Sequence, residues 1–503
     1  MRDIALSARM HNRMKSFYIT TAIDYPNGNP HMGHAYEKVI TDAYARWYRA
    51  CGIETFFLTG TDENGQKLVK SAEAEKKSTQ AYVDENVVAF RSLCTRLEVS
   101  IDDFIRTTEE RHHRVAREVW ERIEKKGDLY EGEYEGQYCL ACEAFYTDTQ
   151  TPEGKCPNHG TPLQKIKEKG FFFRLSSYAK WLEQMIEENP SFIAPEKARK
   201  EILQRLRGEP VRDLSVSRPN AGWGIPVPQN ENFVMYTWFD ALINYLTAVR
   251  ESPRFEKFWP ASMHVIGKDI TWFHAVIWPA ILKAADFQIP LQVYVHGMVL
   301  GDDGRKMSKS LGNGVDPKEV LEKVPVDSFR YYLLRAISSG EDGAFVTADL
   351  IARHNSELAN DLGNLLSRVV KLAMKKIPSP ISLSGVKAPV DIENIFLRMS
   401  EAMNRREHSK ALDILWSGIH ETNLFITRSE PWKLADGSED LRRVLGGSLL
   451  AINGFGNLIR AFLPEVSRNI LKALGTEAVN LGQLSEVQTF NLQDPGVLFP
   501  KIQ

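Results

Sequence analysis

Two histidines three residues apart flank a glycine in NPHMGHAYEKV, residues 29–39. A β-rich run, SFYITTAI, ends just before them in the turn-forming DYPNGNP, and a helical pattern starts just after. A helix N-terminus presents unpaired N–H groups and partial positive charge, so it attracts anions. Gly33 lets backbone approach a ligand closely, and His31 and His34 add ring donors on the same side. This combination suits a triphosphate. Taken alone, H-x-x-H reads better as a capping turn with two surface imidazoles, and a metal pair would need a third ligand that is not near in sequence. A second cluster, KMSKS at Lys306, Met307, Ser308, Lys309 and Ser310, lies among Gly301, Gly304, Gly312 and Gly314. The glycines loosen the loop and the lysines supply point charges for phosphate. In isolation it reads equally well as a solvated charged loop, but two such motifs on α/β units point to one phosphate site. A third cluster, Cys139 and Cys142 followed by Cys156 and His159, has C-x₂-C and C-x₂-H spacing. Tight turns put such pairs on one side of a metal, and a Cys₃His set closes a tetrahedral zinc site. Four protein ligands leave no open position, so this zinc would be structural.

Those residues need a scaffold. A chain of 503 residues exceeds one ordinary core, and three or four units are expected. A 43% hydrophobic and 25% charged composition fits a soluble globular protein. A net charge of −2 excludes a global basic field, although a local basic groove fits within a balanced total. No run of ~18 apolar residues is present to span a membrane. Five cysteines are too few for a disulfide scaffold at this length, which points to a reducing cytoplasm. Cys51 and Cys94, outside the zinc set, are expected to pack on helices. The basic residues 1–16 read as a leader, or translation begins at Met10 or Met14; a weak targeting peptide is the alternative.

Val39, Ile40, Ala43, Trp47 and Cys51 recur at helical spacing, and Gly52 is a plausible stop. ETFFLTG then reads as a second strand, so the first unit is strand, helix, strand with a crossover suited to a parallel pair. A ligand in such a unit sits at the carboxyl end of the first strand, facing the helix N-terminus. From residue 127 to about 230, cysteines cluster, glycines and prolines increase, and the α/β rhythm is lost, as in an insertion. MYTWFDALINYL, MHVIGKD, ITWFHAVIWPAILKAA and LQVYVHGMVL resume helix, strand, helix and strand. Beyond residue 346, apolar stripes over 348–373, 392–405, 410–427 and 441–462 predict a helical bundle.

HMGH and KMSKS resemble the two signature motifs of class I aminoacyl-tRNA synthetases. GTDENGQK, VIGKDITWFHAVIWPA and HGMVLGDDGRKMSKSLGN are similar to segments of the methionyl-tRNA synthetase family, and the resemblance runs from Phe17 through nearly the whole chain. It implies an α/β fold: a Rossmann-like nucleotide-binding domain split by a zinc-knuckle insertion and followed by an α-helical bundle. The implied units are a leader (1–16), the first catalytic half (17–126), a connective insertion (127–230), the second half (231–300), the KMSKS loop with a stem-contact linker (301–347) and an anticodon-binding bundle (348–503). The chemistry implied is adenylation of L-methionine by ATP, then transfer to the terminal adenosine of tRNA(Met). His31 and His34 would hold the phosphates, and Lys306 and Lys309, with Mg²⁺, the leaving pyrophosphate. Gly33, Gly267, Lys268, Asp269 and Ser308 complete the implied ATP site, Asp269 as a ribose or adenine partner. Ile23, Tyr25, Trp238, Ala241, Leu242, Tyr245, Ile270 and His274 would line the methionine slot. Asp62 would pair with the substrate ammonium, and Arg218 with Asp62 or the substrate carboxylate. Asn364, Arg368 and Trp432 would read the anticodon. Without the resemblance, each aromatic reads as core packing, Asn364 as a polar helix residue, and Arg353, Arg368, Lys371, Lys375 and Lys376 as a solvated face as readily as a phosphate-binding one. Asp24 departs from the family, which more often has an uncharged residue there, and is expected to point away from the pocket.

Rival readings explain less. Editing synthetases need a second hydrolytic domain, because one methylene discriminates by only ~1–3 kcal/mol, and the insertion leaves little room for one. The cysteinyl enzyme's family carries a metal-binding cysteine before the first signature, which TTAIDYPNG lacks. A noncatalytic tRNA-binding paralogue would be expected to lose the phosphate-holding histidines or lysines. A metabolic nucleotidyltransferase would not account for the helical tail. No further tRNA-binding module follows the bundle, so a monomer is expected.

Overall fold

The structure is a computed structural model that describes residues 15–139, 144–146, 151, 153–156, 160–307, 313–484 and 489–502. Its centre is a six-stranded parallel sheet: β1 (Ser16–Thr20), β2 (Glu54–Thr61), β3 (Asp103–Arg106), β4 (Ile193–Ala194), β5 (Met263–Gly267) and β6 (Val293–His296), in the order β3-β2-β1-β5-β6-β4. The order reverses between β1 and β5. The carboxyl ends of those two strands therefore border a crevice, the usual ligand site of an open parallel sheet.

The first crossover is α1 (Met32–Ala50), buried along most of its length. It stops where a left-handed residue is needed: Gly52 has φ +80°, its N–H donates to Arg49 O (2.9 Å) and that of Ile53 to Tyr48 O (3.0 Å). This is a Schellman ending, at the glycine the sequence pattern singles out. One face of α1 covers the sheet and the other meets the bundle, where Trp47 packs against Phe396 and Phe462 with ring centroids 6.0 and 6.2 Å apart. One core thus runs continuously from the sheet into the C-terminal helices. A second core, including Trp120, Phe239 and Trp278, fills the opposite side.

Residues 127–230 divide into two parts. Strands Leu129–Cys139 and Gln164–Phe173 form a long antiparallel hairpin, edged by Ala144–Tyr146 and Leu214–Ser215. Helices Ala179–Glu188 and Glu196–Gly208, by contrast, flank β4, which pairs with β6 and extends the central sheet. The α/β rhythm therefore returns inside the stretch expected to have lost it. A two-residue strand closed by Pro195 offers no periodicity to read.

The bundle begins with a continuous helical run through Thr347–Arg353, the wider-turned His354–Gly363 and Asn364–Lys376. It continues through Ile392–Asn404, His408–Ser429 and Glu439–Ile459. A further helix, Pro464–Leu474, follows with proline at its first position, where the missing N–H costs nothing. Between that first run and Ile392–Asn404, Ile381–Ser382 pairs with Thr489–Phe490. Arg330, in helix α2 (Val326–Ala336), locks the sheet-bearing and helical parts together. Its side chain is fully buried and donates to Asp42 Oδ2 of α1 (2.7 Å), Leu97 O (2.9 Å) and Phe462 O (2.9 Å). Among the described residues, no helix is long and apolar enough to cross a membrane.

Candidate active site

The crevice begins where β1 and β2 end. The Asp24 N–H donates to Gly60 O and the Asp62 N–H to Asp24 O, both at 2.8 Å, so the two strand ends run side by side. Next comes the histidine motif. His31 is the N-cap of α1; the His34 N–H donates to His31 Nδ1 (3.4 Å) and the His31 N–H to His34 Nδ1 (3.0 Å). The rings stack 3.7 Å apart. Because each Nδ1 accepts a backbone N–H, each imidazole carries its proton on Nε2 as a neutral donor. For His34, burial and the nearby His31 and Lys38 push the pKa well below the ordinary value, which keeps it neutral at physiological pH. A Cβ on Gly33 would lie 3.0 Å from His31 Cε1, so a side chain there would press on that ring.

The lysine loop enters from the other side of the switch point. At the end of β6, His296 faces Glu37 of α1 (3.0 Å). Val299–Leu300 then pairs with Gly343–Ala344, Leu300 bridges to Lys306, and Met307 packs against the core that includes α1. Burial lowers the His31 pKa, the charge of Asp269 opposes the shift, and that of Lys306 adds a smaller lowering. Ser308 and Lys309 lie outside the described residues. Asp269 folds over Gly267, where a Cβ would sit 2.9 Å from the carboxylate. Lys268 is engaged by Asp342 (2.6 Å), which also accepts the Met298 N–H (2.8 Å). The base of the lysine loop is thus tied to the linker.

An aromatic slot lies alongside. His274 Nδ1 faces the Ile270 carbonyl (3.0 Å), which can only accept, so Nε2 is left to accept the Tyr245 hydroxyl (2.8 Å). Burial lowers the His274 pKa to about 4, consistent with that neutral tautomer. The Tyr18 hydroxyl holds the Tyr245 carbonyl (2.8 Å), and the His264 ring lies 4.2 Å from that of Tyr245. Trp238 stacks on Phe273 at 3.7 Å. Ala241 and Leu242 are buried on the same helix, and Ile23 and Ile270 pack against that core. Burial pushes the Tyr245 phenol pKa well above its ordinary value, with the charges of Glu37 and Asp62 adding to the effect, so Asp62 sits near the slot. Tyr25 closes over Gly65, where a Cβ would fall 2.1 Å from the phenol oxygen. Arg218 donates to Ser215 Oγ (2.9 Å) and Ser217 O (2.7 Å) and lies over Tyr236.

Sequence reasoning missed the residues that hold the Asp62 loop. The buried Glu63 carboxylate accepts from Arg106 (2.7 and 3.0 Å) and from the Thr61 and Thr108 hydroxyls. Asn64 donates to Asp240 (2.7 Å), and Asp240 meets His112 at 2.5 Å with both side chains fully buried. Arg106 and His112 stand in no local motif; only the sheet order brings them here. Asp24 turns beneath α1 to Lys38 and His34.

Of the zinc set, Cys139 and Cys156 are buried, and Cys142 and His159 lie outside the described residues. The Gly160 N–H donates to Cys156 O (2.7 Å) and the Cys156 N–H to Thr161 O (2.8 Å), while Thr161 Oγ1 stands 4.0 Å from Cys139 Sγ. Among the described residues no three metal-binding side chains converge. In the bundle, Asn364 and Arg368 are exposed one turn apart on Asn364–Lys376, and Arg368 reaches Asn423 (3.3 Å). Trp432 is 43% exposed on the turn Pro431–Lys433, beside Lys376, rather than packed between helices.

A parallel sheet with histidines at its switch point and a lysine-bearing segment that follows the strand across that switch point defines a class of protein. The family model of tRNA synthetases class I (M) matches residues 17–165 and 159–370. The methionine–tRNA ligase of Caldanaerobacter subterraneus subsp. tengcongensis is 40% identical over 97% of this chain and 79% of its own. That of Rhizobium meliloti is 40% identical over 96% of this chain and 98% of its own. Among solved structures, Mycobacterium tuberculosis methionyl-tRNA synthetase in complex with methionyl-adenylate aligns with a TM-score of 0.91 at 36% identity, covering 97% of this chain and 100% of that one. Its apo form aligns at 0.85 and 33% identity. Within class I, the chain belongs to the methionine–tRNA ligase family.

Proposed function

We propose that the protein joins L-methionine to tRNA(Met) in two steps within this one crevice. ATP enters as its Mg²⁺ complex. The methionine carboxylate attacks the α-phosphorus, pyrophosphate leaves, and the 2′-hydroxyl of the terminal adenosine then takes the acyl group from the adenylate, releasing AMP. No side chain need bond covalently to substrate, because such transfers are served by positioning and charge stabilisation. The observation that carries the reading is the pair of reciprocally capping histidines, His31 and His34, at the N-terminus of α1 where the sheet order reverses. Neutral Nε2–H donors on His31 and His34 meet the phosphate oxygens, and Lys306 and Lys309 take up charge on the leaving pyrophosphate. Gly33, Gly267, Asp269 and Ser308 complete the nucleotide site, with Lys268 at its edge. Asp62 takes the substrate ammonium, helped by Arg218. The thioether lies among Ile23, Tyr25, Trp238, Ala241, Leu242, Tyr245, Ile270 and His274, an apolar slot with few polar groups. Charging assays test this: methionine is expected to be esterified to tRNA bearing a CAU anticodon, and charging by another amino acid in its place would refute it.

The finer assignments follow the same reading. The protein acts as a cytoplasmic monomer. A structural zinc fits the buried thiols of Cys139 and Cys156 and the tight turn after Cys156, with Cys142 and His159 completing the set. When bound it would tie the segment around Cys139 to that around Cys156. Metal analysis of protein purified without added zinc should find one zinc per chain, and Cys156→Ser should lose it and lower the melting temperature. Asn364, Arg368 and Trp432 read the anticodon, since unstacked bases are bound by aromatic stacking and polar edge contacts. Trp432→Ala removes an exposed ring, so folding is spared. Its kcat/KM for tRNA charging should drop by about 1–3 kcal/mol of stacking, with methionine-dependent pyrophosphate exchange unchanged. Equal losses in both assays would point to misfolding instead.

A further inference from the structure

Directly beneath the histidine motif lies a buried ion pair. Asp24 is 5% and Lys38 1% exposed, and Lys38 Nζ stands 2.9 Å from Asp24 Oδ1 and 2.8 Å from Oδ2. Burying two charges costs more than filling the same space with apolar groups, so packing alone does not account for the pair. Asp24 Oδ1 also lies 3.9 Å from His34 Nε2, the ring atom that carries the proton. Burial raises the Asp24 pKa to about 6 even with Lys38 beside it; without Lys38 the group ionises only above neutrality, and the carboxylate formed there would draw that proton inward and repel an anion bound above the ring. The other charged and titratable groups around the pair are Glu37, which faces His296, and Cys94 and His31.

We propose that Lys38 is a positioning residue for nucleotide binding: by pairing with Asp24 it cancels the carboxylate beneath His34 and leaves the Nε2–H facing the phosphates. This rests on the nucleotide reading of the crevice given above. The consequence is asymmetric. Lys38→Met fills the same volume but leaves Asp24 uncompensated, whereas Asp24→Asn leaves no negative charge under the ring. A pair that serves only structure would suffer alike from either change.

Methionine-dependent ATP–pyrophosphate exchange, with separate KM values for ATP and methionine, tests the proposal. Assayed at alkaline pH, where Asp24 is ionised in the variant, Lys38→Met should raise the KM for ATP by about tenfold with little change for methionine. Asp24→Asn should leave the KM for ATP unchanged or lower it, and the double variant should recover most of what Lys38→Met loses. A double variant no better than Lys38→Met would overturn the proposal, as would parallel rises in both KM values. Should Lys38→Met fail to fold, Asp24→Asn decides alone, with Lys38→Arg as the charge-retaining control: a raised KM for ATP in Asp24→Asn would overturn it. Absence of exchange in the unmodified protein is a separate result that would overturn the nucleotide reading and this proposal with it.

Discussion

Lys306→Ala is expected to slow methionine-dependent pyrophosphate exchange by about 10²–10³-fold, roughly 2.7–4 kcal/mol of barrier, while methionine still binds. The side chain is exposed, so its removal opens no cavity. The backbone bridge to Leu300 does not depend on it, and the loop should keep its path. What is lost, on the proposed reading, is a cation whose charge reaches His31 and would meet the negative charge that builds as pyrophosphate departs. On the proposed reading methionine is held by the Tyr245–His274 slot and Asp62, on other elements. Exchange kinetics together with direct methionine binding separate the two effects. Exchange at full rate in this variant would remove Lys306 from the reaction.

Arg330→Ala should cost about 3–5 kcal/mol of stability, as expected when a buried ion pair loses one partner. Asp42 is fully buried and keeps only Arg46 and the Ser100 donors, while the Leu97 and Phe462 carbonyls lose their donor. Burial alone would raise the Asp42 pKa, but Arg330 and Arg46, with the Ser100 hydrogen bonds, hold it below the ordinary carboxylate value. A depressed carboxylate pKa contributes stability above the unfolded-state value and loses it as pH falls through the folded one. The gap between wild type and variant should therefore be widest near neutrality and narrow in acid. Urea unfolding followed across pH measures it, and a gap that stays constant would mean Asp42 is not the group left stranded.

The sequence made the phosphate side of the site legible because its chemistry is local. HMGH caps the helix it begins, and the glycines around KMSKS stand within a few residues of it in the sequence. Gly52 announces the end of α1 through backbone conformation alone. The aromatic slot required more, since Tyr245 and His274 meet only after two helices pack; the resemblance named them, and periodicity could not. The supports of the Asp62 loop were illegible for the same reason. Glu63 and Arg106 belong to neighbouring strand ends, and Asn64, Asp240 and His112 to three separate segments, with nothing in their spacing to join them. Trp432 shows the opposite failure: an aromatic that alone would be assigned to a core stands exposed on a turn.

The central claim is that the histidine helix end and the lysine loop act on one ATP beside a slot selective for methionine. Exchange of labelled pyrophosphate into ATP by the unmodified protein, one amino acid at a time, tests it most directly. Methionine should support exchange, with leucine, isoleucine, valine and cysteine close to background. No exchange with methionine, or equal exchange with those four, would contradict the account.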